Sequence, residues 1–272
     1  MTVSRRAAGQ VTLVCQDLRV GIRVVDSPST MTLLSRLADV LPGAVVTTDA
    51  ISKAQYTVVE LPRTVRSRFV IRSSGRRSRR VSSATEVVEY LRSQLSTQVA
   101  ETARCRIFVH AGVVGWKGRA IVLPGRSGAG KTTLVAELLR AGATYYSDEY
   151  AVVDEDGGID PFCTPLQIRS THTSRKHART HEQFGARAGT ERIPAGLVVF
   201  ATFRAGHAWT ARALSPGNAL ALLLANTICA RTRPDAAIAA LGKTAVAPAF
   251  IACRGAAHEA AHQILNLLEG GA

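Results

Sequence analysis

Lysine is almost missing from this chain. Only five occur, at positions 53, 117, 131, 176 and 243, so the 34 basic residues are nearly all arginine. A GC-rich genome produces that bias without any functional demand, so the net charge of +14 does not by itself establish a nucleic-acid partner. Long apolar runs are missing too. None approaches the ~18 uninterrupted residues of a membrane-spanning helix, which excludes a helical membrane protein and any membrane partner of that kind. Arg5-Arg6 is not followed by an apolar segment, so neither a secretory nor a twin-arginine leader is expected. The cysteines (15, 105, 163, 229, 253) are odd in number, scattered and without a CxxC pair, which predicts reduced thiols and a cytoplasmic protein. Acids are absent from one stretch in particular. Eight arginines lie between Arg63 and Arg80 with no carboxylate among them.

Against those absences, one motif is complete. Gly125-Arg126-Ser127-Gly128-Ala129-Gly130-Lys131-Thr132 matches GxxxxGK[ST]. The apolar run Ala120 to Leu123 precedes it as a buried strand would. Leu134, Val135, Leu138 and Leu139 follow at helical spacing until Gly142. The motif therefore falls between strand and helix, the context of a P-loop. Its glycines let backbone N–H groups close on a polyphosphate, and the helix N-terminus adds partial positive charge. Residues 125 to 133, Thr133 included, are the expected nucleotide contacts, with Lys131 on the terminal phosphates and the Thr132 hydroxyl on Mg²⁺.

Ahead of the motif, Val11 to Val14 and the alternation Leu18, Val20, Ile22, Val24 predict two strands. Ser27-Pro28-Ser29 opens a helix carrying Leu33, Leu34, Leu37, Val40 and Leu41 on one face, which Pro42-Gly43 ends. Tyr56 to Leu61 and Phe69 to Ile71 predict further strands, and Ser73 to Arg80 a loop. Ser83 and Glu86 form a capping-box pattern before a helix with Val87, Val88, Leu91, Leu95 and Val99. Residues 1–102 thus make a small α/β domain, and residues 103–272 an α/β core with a mixed sheet. In that core, Cys105 to Val114 pairs with the P-loop strand as a hairpin that carries His110. Thr144 to Ser147 is a short strand ending in Asp148-Glu149, and Asp156-Gly157 turns the next hairpin. Thr164 to Ala195 is predicted to be irregular. Gly196 to Phe203 is a buried strand, Ser215-Pro216 opens a helix from Ala219 to Ile228, and a last strand and helix cover Ala245 to Cys253 and Ala256 to Leu268.

His110, the loop and Asp148-Glu149 together resemble the catalytic domain of HPr kinase/phosphorylase and its relatives. There, as here, a histidine lies fifteen residues before the first loop glycine and an acidic pair begins twenty-three after it. The similarity is specific over residues of roughly 105 to 165 and extends to Leu214 to Leu220 and Pro248 to Phe250. It implies an ATP-dependent kinase in which Asp148 accepts the proton of a serine hydroxyl, His110 lies beside the transferred phosphate, and Lys131 assists. It also implies Mg²⁺ held at Thr132 and Glu149. Family members carry two aspartates where this chain has Asp148-Glu149, and neither their substrate-capture segment nor their N-terminal domain is recognisable here. The acceptor is therefore expected to be a serine on a peptide or protein other than HPr, such as a ribosomally made, lasso-type precursor. GTP in place of ATP, a homo-oligomer, a small-molecule acceptor and a nucleotide-dependent binding or regulatory module all stay open.

A rival motif, His258-Glu259-Ala260-Ala261-His262, spells HExxH on a predicted helix. A zincin needs a third ligand beyond it, yet only ten residues follow. The apolar face Ile264, Leu265, Leu267, Leu268 turns the histidines to solvent. Nucleic acid is expected to bind the arginine run weakly at most, because the aromatic side chains on which single strands stack are missing, Phe69 apart. An acidic peptide and a merely solvated loop fit the run equally well.

Overall fold

A computed structural model describes residues 9–25, 30–37, 39–47, 54–62, 67–75, 77–126, 128–169 and 176–270. The predicted opening Ser27-Pro28-Ser29 and the loop residue Ser127 lie outside the described residues. The chain divides into two compact units, Met1–Arg104 and Cys105–Ala272.

The first unit is a six-stranded mixed sheet with two helices. Its elements are β1 (Gly9–Cys15), β2 (Leu18–Val25), α1 (Thr30–Leu37), β3 (Val45–Thr47), β4 (Tyr56–Glu60), β5 (Phe69–Ser73), β6 (Arg79–Val81) and α2 (Ala84–Thr102). The strands run in the order β3-β1-β2-β4-β5-β6. Alternation sets the faces, since Leu18, Val20, Ile22 and Val24 are buried while Arg19 and Arg23 between them are exposed. At the start of α2 the Ser83 hydroxyl accepts from the Glu86 N–H at 3.2 Å, and the Glu86 carboxylate accepts in return from the Ser82 N–H at 3.0 Å. The helix expected to run on through Val40 and Leu41 ends at Leu37, and those two residues are buried from the turn that follows it. The predicted loop Ser73 to Arg80 is shorter than expected, since β5 takes in Ser73 and β6 takes in Arg79 and Arg80. Arg79 and Arg80 disguise an edge strand, where exposed charge is common.

The second unit contains β7 (Ile107–Trp116), β8 (Arg119–Pro124), α3 (Lys131–Arg140), β9 (Thr144–Ser147), β10 (Tyr150–Val153), β11 (Gly158–Asp160), β12 (Leu166–Arg169), β13 (Lys176–Arg179), β14 (Ile193–Phe203), β15 (Thr210–Leu214), α4 (Pro216–Ala225), α5 (Pro234–Thr244), β16 (Ala249–Arg254) and α6 (Ala257–Glu269). Its mixed sheet runs β11-β10-β7-β8-β14-β16-β15, with β9 also paired to β7. β8, β14 and β16 are mutually parallel neighbours. Ile121 and Leu123 of β8 join a core with α3 and α6, whereas Ala120 and Val122 join one with α4 and α5. Burial on both faces is why this strand reads as a continuous apolar run rather than an alternation.

Thr164 to Ala195 is not irregular throughout. β12 and β13 form a hairpin, a 3-10 turn spans His181–Phe184, and β14 already begins at Ile193. The helix expected behind Ser215-Pro216 opens there, with Ser215 as its cap and Pro216 as its first residue, but it stops at Ala225 rather than Ile228, where the Asn226 amide donates to the Leu222 carbonyl at 2.9 Å. Among the described residues no helix is long and apolar enough to cross a membrane.

Candidate functional site

β8, a central strand buried from Ala120 to Pro124, delivers the glycine-rich loop at its carboxyl end. Gly130 occupies the N-cap of α3 at φ 83° and ψ 14°, a left-handed conformation that a side chain would strain, and a Cβ there would meet the Arg254 guanidinium at 2.6 Å. Gly128, at φ 92°, faces open space. The Lys131 ammonium folds back over the loop and donates to the carbonyls of Gly125 at 2.6 Å and Arg126 at 3.0 Å. Arg126, Gly128 and Thr133 are exposed, and Ala129 and Gly130 half-buried.

The acidic pair arrives from the turn between β9 and β10. The Ser147 hydroxyl accepts from the N–H groups of Glu149 at 3.3 Å and Tyr150 at 3.1 Å, which fixes that turn. Asp148 then meets the first turn of α3, where the Thr132 hydroxyl donates to its carboxylate at 2.9 Å. The backbone of Glu149 is tied to the same place, its carbonyl accepting from the Ala111 N–H at 3.2 Å. Both acids are half-buried.

β7 is the element that joins these parts. The His110 carbonyl accepts from the Gly125 N–H at 3.0 Å, and its own N–H donates to Asn226 at 2.8 Å. The His110 ring packs on Tyr150, with centroids 5.0 Å apart and planes inclined by 31°. Burial, and secondarily the Lys131 ammonium, lower the His110 pKa below the ordinary histidine range, so the imidazole is neutral at neutral pH. Gly112, two residues on, lets α3 lie close against the sheet, since a Cβ there would meet Val135 Cγ2 at 2.6 Å. Three segments distant in sequence, around His110, Lys131 and Asp148, therefore converge.

Two residues not singled out from the sequence complete the surroundings. Arg254, at the end of β16, is 3% exposed and donates to the Gly130 carbonyl at 2.9 Å and the Gly255 carbonyl at 3.0 Å. Burial lowers its pKa. Phe203, at the end of the neighbouring β14, is 54% exposed and carries the Arg254 guanidinium 5.3 Å from its ring centroid. Phe203 is the last residue of β14, which pairs with β8, and Arg254 the last of β16, one strand further on; that position at a strand end is the only signal the sequence offered. The Thr132 hydroxyl and a carboxylate of the adjacent acidic pair Asp148-Glu149 make a hard oxygen donor set suited to Mg²⁺, and the left-handed glycines leave room for an anion at the N-terminus of α3.

The HExxH residues do not converge on anything. His258, Glu259 and His262 are exposed on α6, whose buried face is Ala260, Ala261, Ile264, Leu265 and Leu268. Among the described residues no three His, Cys, Asp or Glu side chains cluster as a metal site. No protein-family model matches the chain, and no curated protein matches it.

Proposed function

We propose that the chain is a P-loop kinase similar to HPr kinase, transferring the γ-phosphate of ATP to a serine hydroxyl of a peptide or protein. The observation that carries this reading is the 2.9 Å contact between the Thr132 hydroxyl and the Asp148 carboxylate. It joins the motif's hydroxyl to an acid sixteen residues away, with His110 bonded to the loop's first glycine alongside. A chance glycine-rich turn has no reason to gather these groups.

In this reading the backbone N–H groups of Gly128 to Thr132 hold the phosphates, and Lys131 exchanges the loop carbonyls for phosphate oxygens. Thr132 and Glu149 would hold Mg²⁺, which would neutralise phosphate charge when bound. Asp148, beside the first turn of α3, takes the proton of the incoming serine hydroxyl. The serine oxygen bonds to the γ-phosphorus as the bond to the β–γ bridging oxygen breaks, and ADP leaves. His110, neutral and half-buried, presents an uncharged ring beside the transferred group and adds no proton of its own.

The test pairs nucleotide binding with phosphoserine formation on a serine-bearing peptide. Mg·ATP should raise the melting temperature, since a ligand bound only by the folded chain stabilises it, and Lys131→Ala should remove most of that gain. Asp148→Asn should lower phosphoserine formation by ~10²- to 10⁴-fold, the usual cost of losing a general base, while Mg·ATP affinity changes far less. Equal stabilisation of wild type and Lys131→Ala would reject the loop as the nucleotide site. Collapse of Mg·ATP binding in Asp148→Asn would make Asp148 a metal ligand instead.

A further inference from the structure

We propose that Phe203 receives the nucleoside half of the nucleotide whose phosphates lie on the Gly125–Thr132 loop, with Arg254 holding the ring and adding positive charge behind that loop, an inference that rests on the nucleotide reading above. The site has two sides. His110 of β7 and Asp148 after β9 mark the side of β8 where the terminal phosphate reacts. On the opposite side β8 is followed by β14 and then β16, all parallel, and ligands of open α/β sheets lie beyond the carboxyl ends of such strands. Phe203 and Arg254 are the residues at those two ends.

Their chemistry fits the same occupant. Phe203 is a large aromatic left half in solvent at the rim of the loop, and its Cβ lies 3.8 Å from where a Cβ on Gly130 would stand. An exposed ring in that place is a platform for a π-face or a sugar. Arg254 keeps the ring in place from one side. Its guanidinium is buried, has no carboxylate partner among the described residues, and has an Nε with no hydrogen-bond partner. A buried cation without an acid is costly, and a polyphosphate nucleotide is the anion that relieves it. The ring and the guanidinium thus point to one ligand with both an aromatic group and negative charge.

The experiment measures Kd for Mg·ATP and for Mg·tripolyphosphate, which lacks the nucleoside, on the full chain. Phe203→Ala should weaken Mg·ATP about tenfold or more, the usual loss when a base loses an aromatic platform, and change tripolyphosphate less than about twofold. Phe203→Tyr should bind both as wild type does. Arg254→Met should weaken Mg·ATP and Mg·tripolyphosphate alike, because its charge acts on the phosphates. Unchanged Mg·ATP affinity in Phe203→Ala, or equal loss of both ligands in that variant, would overturn the proposal. A ligand-free Arg254→Met that melts several degrees lower and binds both ligands normally would reduce Arg254 to a prop for Gly130. A wild type that binds neither ligand would refute the nucleotide reading itself, a result separate from Phe203→Ala failing in a protein that binds both.

Discussion

At the scale of single residues, His110 offers a test that needs no substrate. Its imidazole is disfavoured as a cation by burial and then by Lys131, so its folded pKa lies below the ~6.5 of an unfolded chain. Between those two values the unfolded state binds more protons, and stability rises with pH across that window. The melting temperature should therefore hold above pH ~6.5 and fall as the pH drops toward the folded value. His110→Asn should flatten that part of the curve, and Lys131→Ala should make it shallower. Wild-type and His110→Asn curves that run parallel from pH 8 to 5 would show that His110 is not the group responsible. Lys131 and Thr132 were legible because they belong to the glycine motif itself, whereas His110 and Asp148 stood out only through the resemblance that sets them at matching offsets from it. Phe203 and Arg254 were not legible. Nothing in their spacing ties them to Gly130, and only the parallel pairing of β14 with β8 and β16 brings strand ends from 73 and 124 residues away to the same loop.

At the scale of elements, the strength of the apolar signal decided what could be read. The hairpin of β7 and β8, the helix α3 and the capped helix α2 were all predicted, since each carries a run or a period of large apolar side chains. α5 and β15 were not foreseen. α5 is built on Ala237, Ala240 and Leu241 behind an uncapped Pro234, too little bulk to show a period, and four of the five residues of β15 are exposed. The short hairpin of β12 and β13 was hidden by its basic residues. The close approach of α3 to β7 rests on Gly112, which makes it the element-level test. Gly112→Ala drives a methyl into Val135 Cγ2 and must displace the side chain or the helix. Overpacking of this kind costs about 1–3 kcal/mol, or a few degrees in melting temperature, and it should also diminish the stabilisation by Mg·ATP because α3 carries Lys131 and Thr132. Adding Val135→Ala should restore part of both, a non-additive coupling expected only of residues in contact. Full additivity of the two substitutions would show that the contact does not position α3.

At the scale of the whole molecule, the excess of arginine is arranged differently from its clustering in the sequence. Within the run from 63 to 80, Arg68 is already committed, donating to Glu60 at 2.8 Å, and Arg63, Arg66 and Arg76 lie outside the described residues. Arg72 and Arg80 share one face of the first unit's sheet with Arg19 and Arg23, since Arg23 is in register with Thr57, Thr57 with Arg72, and Arg80 with Val70. All four are exposed, on the face opposite the buried Val20, Ile22, Val58 and Ile71. This face decides between a kinase and a nucleotide-dependent module that acts on nucleic acid. Four arginines on a single strand would give a slope of log K against log salt near −3, and no exposed aromatic side chain stands among them to add a salt-independent contribution from base stacking. The expected outcome is weak, sequence-indifferent binding at low salt that disappears near physiological salt. Replacing Arg19, Arg23, Arg72 and Arg80 by Ser should abolish it while leaving Mg·ATP stabilisation and phosphoserine formation intact. A sequence-specific complex that stays tight at ~200 mM salt, well beyond what phosphate contacts alone sustain, would instead make nucleic acid the partner of this surface and turn the reading of the whole chain toward the binding module.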